Sequence, residues 1–240
     1  MSGAEFALDP RRQRIGAMAA ICYVVFFVVS LVLPGRLNGN APIFTPYSPD
    51  ETVSRYLAET TRGAIAYGAF FQALSALALL VFVPYATDYA RRLAPEGGYA
   101  GVIRAGGTVS AALLLVSSSV QWVSNRPSTG GDLRVFRAIS DITFVTGAAP
   151  HVATLGLLVG AVAGVGLKTR ALPRWLCWFG FVIAAASLLS MLSLLFEAAT
   201  IFIPAGRYIG MVWFLALAVV LLVRRTTDAP SIQTGPGVGR

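Results

Sequence analysis

"AAPHVATLGLLVGAVAGVG", residues 148–166, runs nineteen residues without a charged side chain. Wound as a helix rising about 1.5 Å per residue, a stretch of that length crosses a hydrocarbon core of roughly 30 Å. Inside lipid it has to be a helix, because no water is there to satisfy its peptide groups. It also holds the chain's one histidine, His151, directly after Pro150 and ahead of Gly156, Gly160 and Gly164. What this histidine and these glycines do is the question that the rest of the chain frames.

The same apolar pattern recurs on both sides. Of 240 residues, 56% are hydrophobic and only 12% are charged, about half the charged share of a soluble domain. Six spans can be drawn, at about 15–33, 63–83, 102–124, 141–167, 174–196 and 207–223, with Pro34 and Gly35 closing the first and Pro84 the second. The expected fold is all-α, a polytopic bundle of six transmembrane helices occupying residues 15–225. A cytoplasmic N-terminal arm (1–14) precedes it. The tail, 226–240, is polar and rich in Gly and Pro, a composition that predicts disorder.

A net charge of +8 raises the question of nucleic acid. The basic residues flank apolar segments rather than forming a basic face, which is how membrane topology is written, so no nucleic-acid partner is expected. With both termini inside, twelve Arg and Lys residues are cytoplasmic and seven are outside, while the acids divide five and six. That bias predicts a multi-pass protein of the cytoplasmic membrane with both ends in the cytoplasm. "RRQR" followed by an apolar core and "GNA" has the order of a signal peptide. The core exceeds the usual length of 7–15 residues, so a retained first helix is expected. Arginine and alanine dominate where lysine is nearly absent, a bias of GC-rich, bacterial genomes.

Two of the loops placed outside contain helical signals. In "PYSPDETVSRYLAETTR", Ser48 is positioned as an N-cap, Pro49 as the first helical residue and Glu51 as the capping-box partner. Val53, Tyr56 and Leu57 share one face, which predicts a short amphipathic helix on the outer surface. In "STGGDLRVFRAISD", Asp132 can cap a helix presenting Leu133, Phe136 and Ile139 and running toward the fourth span.

Residues able to carry chemistry are few. Gly156, Gly160 and Gly164 lie on one side of a helix, nearly opposite His151, and small residues at that spacing let another helix approach closely. The neighbour could belong to the same chain or to a partner, including a second copy. His151 lies about ten residues, roughly 15 Å, inside Asp141, and Gln72 reaches a similar depth. Pro150 removes a helical N–H and predicts a kink that frees the Thr146 carbonyl near Thr143, Thr146 and Thr154. Polar groups at this depth need partners, and ionisable ones are functional candidates. His151 is therefore a neutral structural hydrogen-bonder, a lining group of a ligand cavity, or a proton carrier. A second constellation of Asp141, Glu197, Arg207, Arg62, Gln121 and Asn125 occupies the outer ends. There Arg207 runs against the positive-inside bias and is expected to pair with Glu197 or Asp141.

Enzyme signatures are missing. One histidine without a cysteine pair does not make a zinc site, and Cys22 and Cys177 read as small apolar residues. No phosphate-loop, GxSxG or HExxH pattern occurs, and "RAGGT" at 104–108 reads as a close-packing point. No metal or other cofactor is expected.

From Asp141 onward, "DITFVTGAAPHVATLGLL", "LPRWLCWFGFVIA" and "PAGRYIGMVWFLALAVVLLVRR" resemble an uncharacterised family of six-helix actinobacterial integral membrane proteins known only as a domain of unknown function. The family's histidine after a kink, its Arg-Trp pair and its arginine before a tryptophan fall here on His151, on Arg174 with Trp175, and on Arg207 with Trp213. Ala149-Pro150 departs from the Gly-Pro or Pro-Gly expected there. The likeness covers the last three spans well and the first three by layout and by the "SPDETVSRYLAE" helix. It implies a six-helix fold and no activity. Two functions remain in view: an accessory protein acting through its helix faces in the bilayer, and binding or transport of a small apolar or amphiphilic molecule in an outward cavity near His151, Gln72 and Arg207.

Overall fold

A computed structural model describes residues 10–38, 41, 42, 44–126, 129 and 132–227. Most of the expected arm and nearly all of the expected tail lie outside these residues. In chain order the helices are α1 (Pro10–Leu37), α2 (Asp50–Glu59), α3 (Arg62–Leu93), α4 (Tyr99–Ser124), α5 (Leu133–Gly147), α6 (Ala149–Thr169) and α7 (Arg174–Leu189). Short 3-10 turns at Ser190–Leu194 and Glu197–Ile201 lead through Phe202–Pro204 to a π-helical turn, Ala205–Ile209, and then to α8 (Gly210–Thr227). No strand occurs among the described residues. Six segments are long and apolar enough to cross a membrane: Arg11–Leu37, Arg62–Leu93, Tyr99–Ser124, Leu133–Thr169, Arg174–Leu194 and Glu197–Val223. The chain is an all-α, multi-pass membrane protein.

The helices pack in a circuit from α1 to α3, α4, α6, α7 and α8, and back to α1. α6 is the innermost. The most apolar window of its span is 72% buried, against 39–44% for the other five, so neighbours rather than lipid cover it. Gly156 and Gly160 face α7: a Cβ on Gly156 would lie 2.5 Å from that of Ser187, and one on Gly160 would lie 3.1 Å from that of Ala184. Gly164 meets the Tyr99 ring. The glycine stripe is thus filled within this chain. On the α4 side, Gly106 of "RAGGT" lies against the Thr154 carbonyl and Leu157, so the backbones of α4 and α6 nearly touch.

At the end carrying both described termini, the bundle is stapled and closely packed. Arg12 pairs with Asp88 at 3.0 Å, and the Gln13 amide donates to the Leu221 carbonyl at 2.9 Å. Further in, Tyr23, Phe82 and Trp213 all stack edge-on to Phe214, with centroids 5.1–5.4 Å apart. The buried Trp213 indole donates to the Leu176 carbonyl at 2.9 Å.

Several boundaries differ from those read in the sequence. α3 continues through Pro84 to Leu93 and α1 through Pro34 to Leu37, because packed neighbours in a bundle tolerate the lost helical bond. The fourth span is two helices instead of one kinked helix. Ala148 (φ −101°, ψ −106°) separates α5 from α6, and Pro150 enters the first turn of the new helix, where its missing N–H is harmless. The last span begins at Glu197, not 207. Ser48 does not cap α2. Its hydroxyl accepts from the Thr45 N–H at 2.9 Å, while the extended Pro49 holds the cap position and Asp50 opens the helix. Glu51 faces Arg55 instead of closing a capping box. Asp132, by contrast, caps α5, accepting from the N–H groups of Arg134 and Val135.

Candidate functional site

The α2 end of the bundle is built differently, and the cause is the interruption between α5 and α6. A helix ending at Gly147 leaves carbonyls without helical partners, and in an apolar interior each needs a donor. Ser117 of α4 supplies one to the Thr143 carbonyl at 2.9 Å. Arg207 supplies another, its Nη2 donating to the Gly147 carbonyl. The π-helical turn aims this side chain inward. Gly206 beside it fits against Ser187 and Val152, where any side chain would collide, and the guanidinium lies over the Phe27 ring, 5.4 Å from its centroid.

Around Arg207 the helices stand apart. An inner chamber of about 500 Å³ is lined by Gln72, Ser117, Gln121, Thr143, Gly147, Ala148 and Arg207, with Phe144, Ile201, Ile203, Pro204 and Tyr208 as its apolar wall. A loop-side chamber of about 700 Å³ adjoins it, lined by Leu31, Phe44, Tyr56, Ile65, Phe136 and Asp141 among others. The two share Thr45, Gln121, Thr143, Phe144 and Tyr208. Each volume lies within the range of small-molecule pockets, about 300–1,000 Å³. Between Gln13, Tyr85 and Leu221, at the other end, the space is about 30 Å³, on the order of one water.

A strap crosses above the chambers. Arg137 of α5 pairs with Asp50 at 2.5 Å and donates to the Pro46 and Ser48 carbonyls at 2.8 and 2.7 Å. On the other side the Tyr47 hydroxyl donates to the Ser193 carbonyl at 2.5 Å. α2 rests below with Val53 buried and Tyr56 packed against Phe44 and Phe136. Burial pushes the Tyr56 phenol above its ordinary value of 10.0.

The structure divides the sequence-derived candidates. His151 lines neither chamber. It is fully buried between α4 and α6, where its Nδ1 lies 2.9 Å from the Ser110 carbonyl and the Ser110 hydroxyl donates to the His151 carbonyl at 3.0 Å. This reciprocal pair places the ring proton on Nδ1 and leaves Nε2 without a partner. Gln72, Gln121 and Arg207 do come together, and the Gln72 amide donates to the Ser117 hydroxyl at 3.2 Å. Asp141 belongs to the loop-side chamber, and Glu197 and Arg62 are exposed. The expected ion pair of Arg207 with Glu197 or Asp141 is not formed. No carboxylate among the described residues lies within pairing distance of Arg207, because the π turn directs it toward the helix break. Its Nε and the Gln121 Oε1 are buried without partners.

Sequence reading missed the parts that Ser110, Ser117 and Arg137 play. The first two had a usable signal: Ser110, Ser117 and Gln121 recur at seven and four residues, hence on one face of α4. Among the described residues no cluster of His, Cys, Asp or Glu is arranged to hold a metal. No family model, curated protein or solved structure matches this chain.

Proposed function

We propose that this is a non-catalytic protein of the cytoplasmic membrane that binds a small amphiphilic molecule in the paired chambers. In this reading both termini are cytoplasmic and the α2 end faces outward. One observation carries it. Chambers of about 500 and 700 Å³ that share polar lining residues open at the α2 end of the bundle, while the end where α1 meets α8 is interlocked. Helices in lipid associate by close packing, and holding this space open forgoes those contacts. A bound molecule restores them. The non-enzymatic part rests on His151, the chain's one imidazole, being committed to Ser110 in the packed interior.

Native mass spectrometry of the chain released in mild detergent tests the proposal. A reproducible adduct of small-molecule mass, reduced in a variant that fills the inner chamber (Ala148→Phe), is the expected result. A clean protein mass across several detergents would sink it. A second reading, an accessory protein with a membrane partner, is favoured by the groove of about 660 Å³ between α3 and α4, where Tyr67, Phe70 and Trp122 are exposed beside Ser118 and Ser119. Co-purification of a second membrane protein, lost in Ser119→Phe, would favour it.

A further inference from the structure

Resting on that reading, the charge balance of the inner chamber says what kind of molecule fits it. Arg207 is a cation at the floor of a cavity within a transmembrane bundle, and a charge so placed needs an opposite charge or dense hydrogen bonding. The protein supplies one carbonyl, Gly147, and one aromatic face, Phe27. The Tyr208 hydroxyl also hydrogen-bonds to it and the Tyr23 phenol lies near, but neither is a carboxylate. The nearest chamber-lining carboxylate, Asp141, belongs to the loop-side chamber and is not paired with Arg207. Two further features favour an anion at the same floor. The Gln72 amide, which donates to the Ser117 hydroxyl, keeps a second N–H on the chamber wall, and α6, a helix of 21 residues, begins at Ala149 behind an Ala148 that offers no side-chain cap, so its first N–H groups lie beside the chamber. Interrupted membrane helices direct their N-terminal ends at anionic groups in this way.

The route is also marked. The strap held by Arg137 and Tyr47 places Thr45 and Pro46 on the wall of the loop-side chamber, and Asp141 on that side would repel an anion. Toward the bilayer the arrangement reverses. α1 packs along α8 but hardly against the π turn, and Leu31, Ile201 and Tyr208 at the chamber edges are 44%, 66% and 45% exposed. Apolar residues that are exposed within a membrane span face lipid.

We infer that the inner chamber holds the anionic head, of carboxylate or phosphate type, of a lipid-like amphiphile that slides in sideways between α1 and the Arg207 turn, leaving its tail beside Leu31 and Tyr208. Charge-assisted hydrogen bonds are roughly twice as strong as neutral ones, so the head should dominate selectivity.

The test uses the full chain in nanodiscs of zwitterionic lipid, with dodecanoate, dodecanol and acetate as probes at mildly alkaline pH. The expected result is dodecanoate binding about tenfold or more tighter than dodecanol, with acetate failing to compete. Arg207→Gln, which keeps a donor for the Gly147 carbonyl, should erase the preference. Leu31→Trp, a lipid-facing change that leaves the core alone, should weaken dodecanoate binding while leaving Arg207 intact. Equal binding of dodecanoate and dodecanol, unchanged in Arg207→Gln, would overturn the anionic head while leaving the chambers as a binding site. Acetate competing as well as dodecanoate would overturn the tail and the sideways route. If none of the three binds the native chain, the binding function itself falls.

Discussion

The two ends of this bundle are made from the same spans and have opposite interiors. Where α1 meets α8, regular helices interlock Tyr23, Phe82, Trp213 and Phe214, and the space near Gln13 is about 30 Å³. Where α5 gives way to α6, four interruptions occur: the break at Ala148, two 3-10 turns and a π turn. There the helices part around chambers hundreds of cubic ångströms in size. Composition does not separate the two ends, since both are largely apolar. Regularity does. A regular helix satisfies its own backbone and leaves its side chains free to pack. An interrupted one presents carbonyls and N–H groups that draw in Arg207, Ser117 and Gln72, and polar groups so gathered are poor fillers of space.

The comparison can be broken at either end. The largest effect is expected from Trp213→Ala in the interlocked half, which empties a fully buried site and removes the indole bond to the Leu176 carbonyl. Thermal unfolding in detergent should show a loss of about 3 kcal/mol or more. A loss no larger than that of a lipid-facing change such as Val219→Ala would mean that this half is not the stable one. Next comes His151→Leu, which removes the buried bond between Nδ1 and the Ser110 carbonyl and should cost about 0.5–1.5 kcal/mol. If stability holds or rises, His151 was being maintained for something other than structure.

Smaller still is Arg137→Ala at the strap. Its ion pair is partly exposed, so stability should fall by only about 0.5–1 kcal/mol. Proteolysis in the 41–48 segment should nevertheless accelerate, and unchanged cleavage would show that the strap is held by other contacts. The finest probe is pH. The Tyr56 phenol is raised above 10.0 while α2 is seated, so the released helix ionises first as pH increases. Docking is therefore intact below about 10 and weakens above it. An absorbance titration of the native chain against Tyr56→Phe should place this tyrosine above the free value, and a normal titration would mean that α2 is not seated.

Much of the interlocked half was legible in the sequence, because long apolar runs and small-residue spacing translate directly into helices and contacts. Gly156 and Gly160 announced a close neighbour, and the structure identifies it as α7. The α2 helix and the Asp132 cap were legible too, through period and cap chemistry. The interrupted half was harder to read. Proline does not distinguish a kink from a fresh start, and Pro150 served as a start while Pro34 and Pro84 were simply absorbed. Arg207 was recognisable as out of place, but charge alone suggested a carboxylate, and its partner is a backbone carbonyl exposed by a break that no residue encodes by itself. Arg137 entered the reading only as a count toward topology. Its three bonds to the strap depend on a loop conformation outside any periodic pattern.

The bond between Arg207 and the Gly147 carbonyl joins residues 60 apart in the chain, and this separation imposes an order on biosynthesis. When the fifth and sixth helices leave the ribosome, the carbonyl at their junction has no cap in the bilayer. When the last span follows, it carries a guanidinium that would be unwelcome in lipid alone. Each defect is the other's remedy, so the span made later closes the junction left by the earlier one. A nascent chain stalled before residue 207 should therefore remain loosely assembled around that junction.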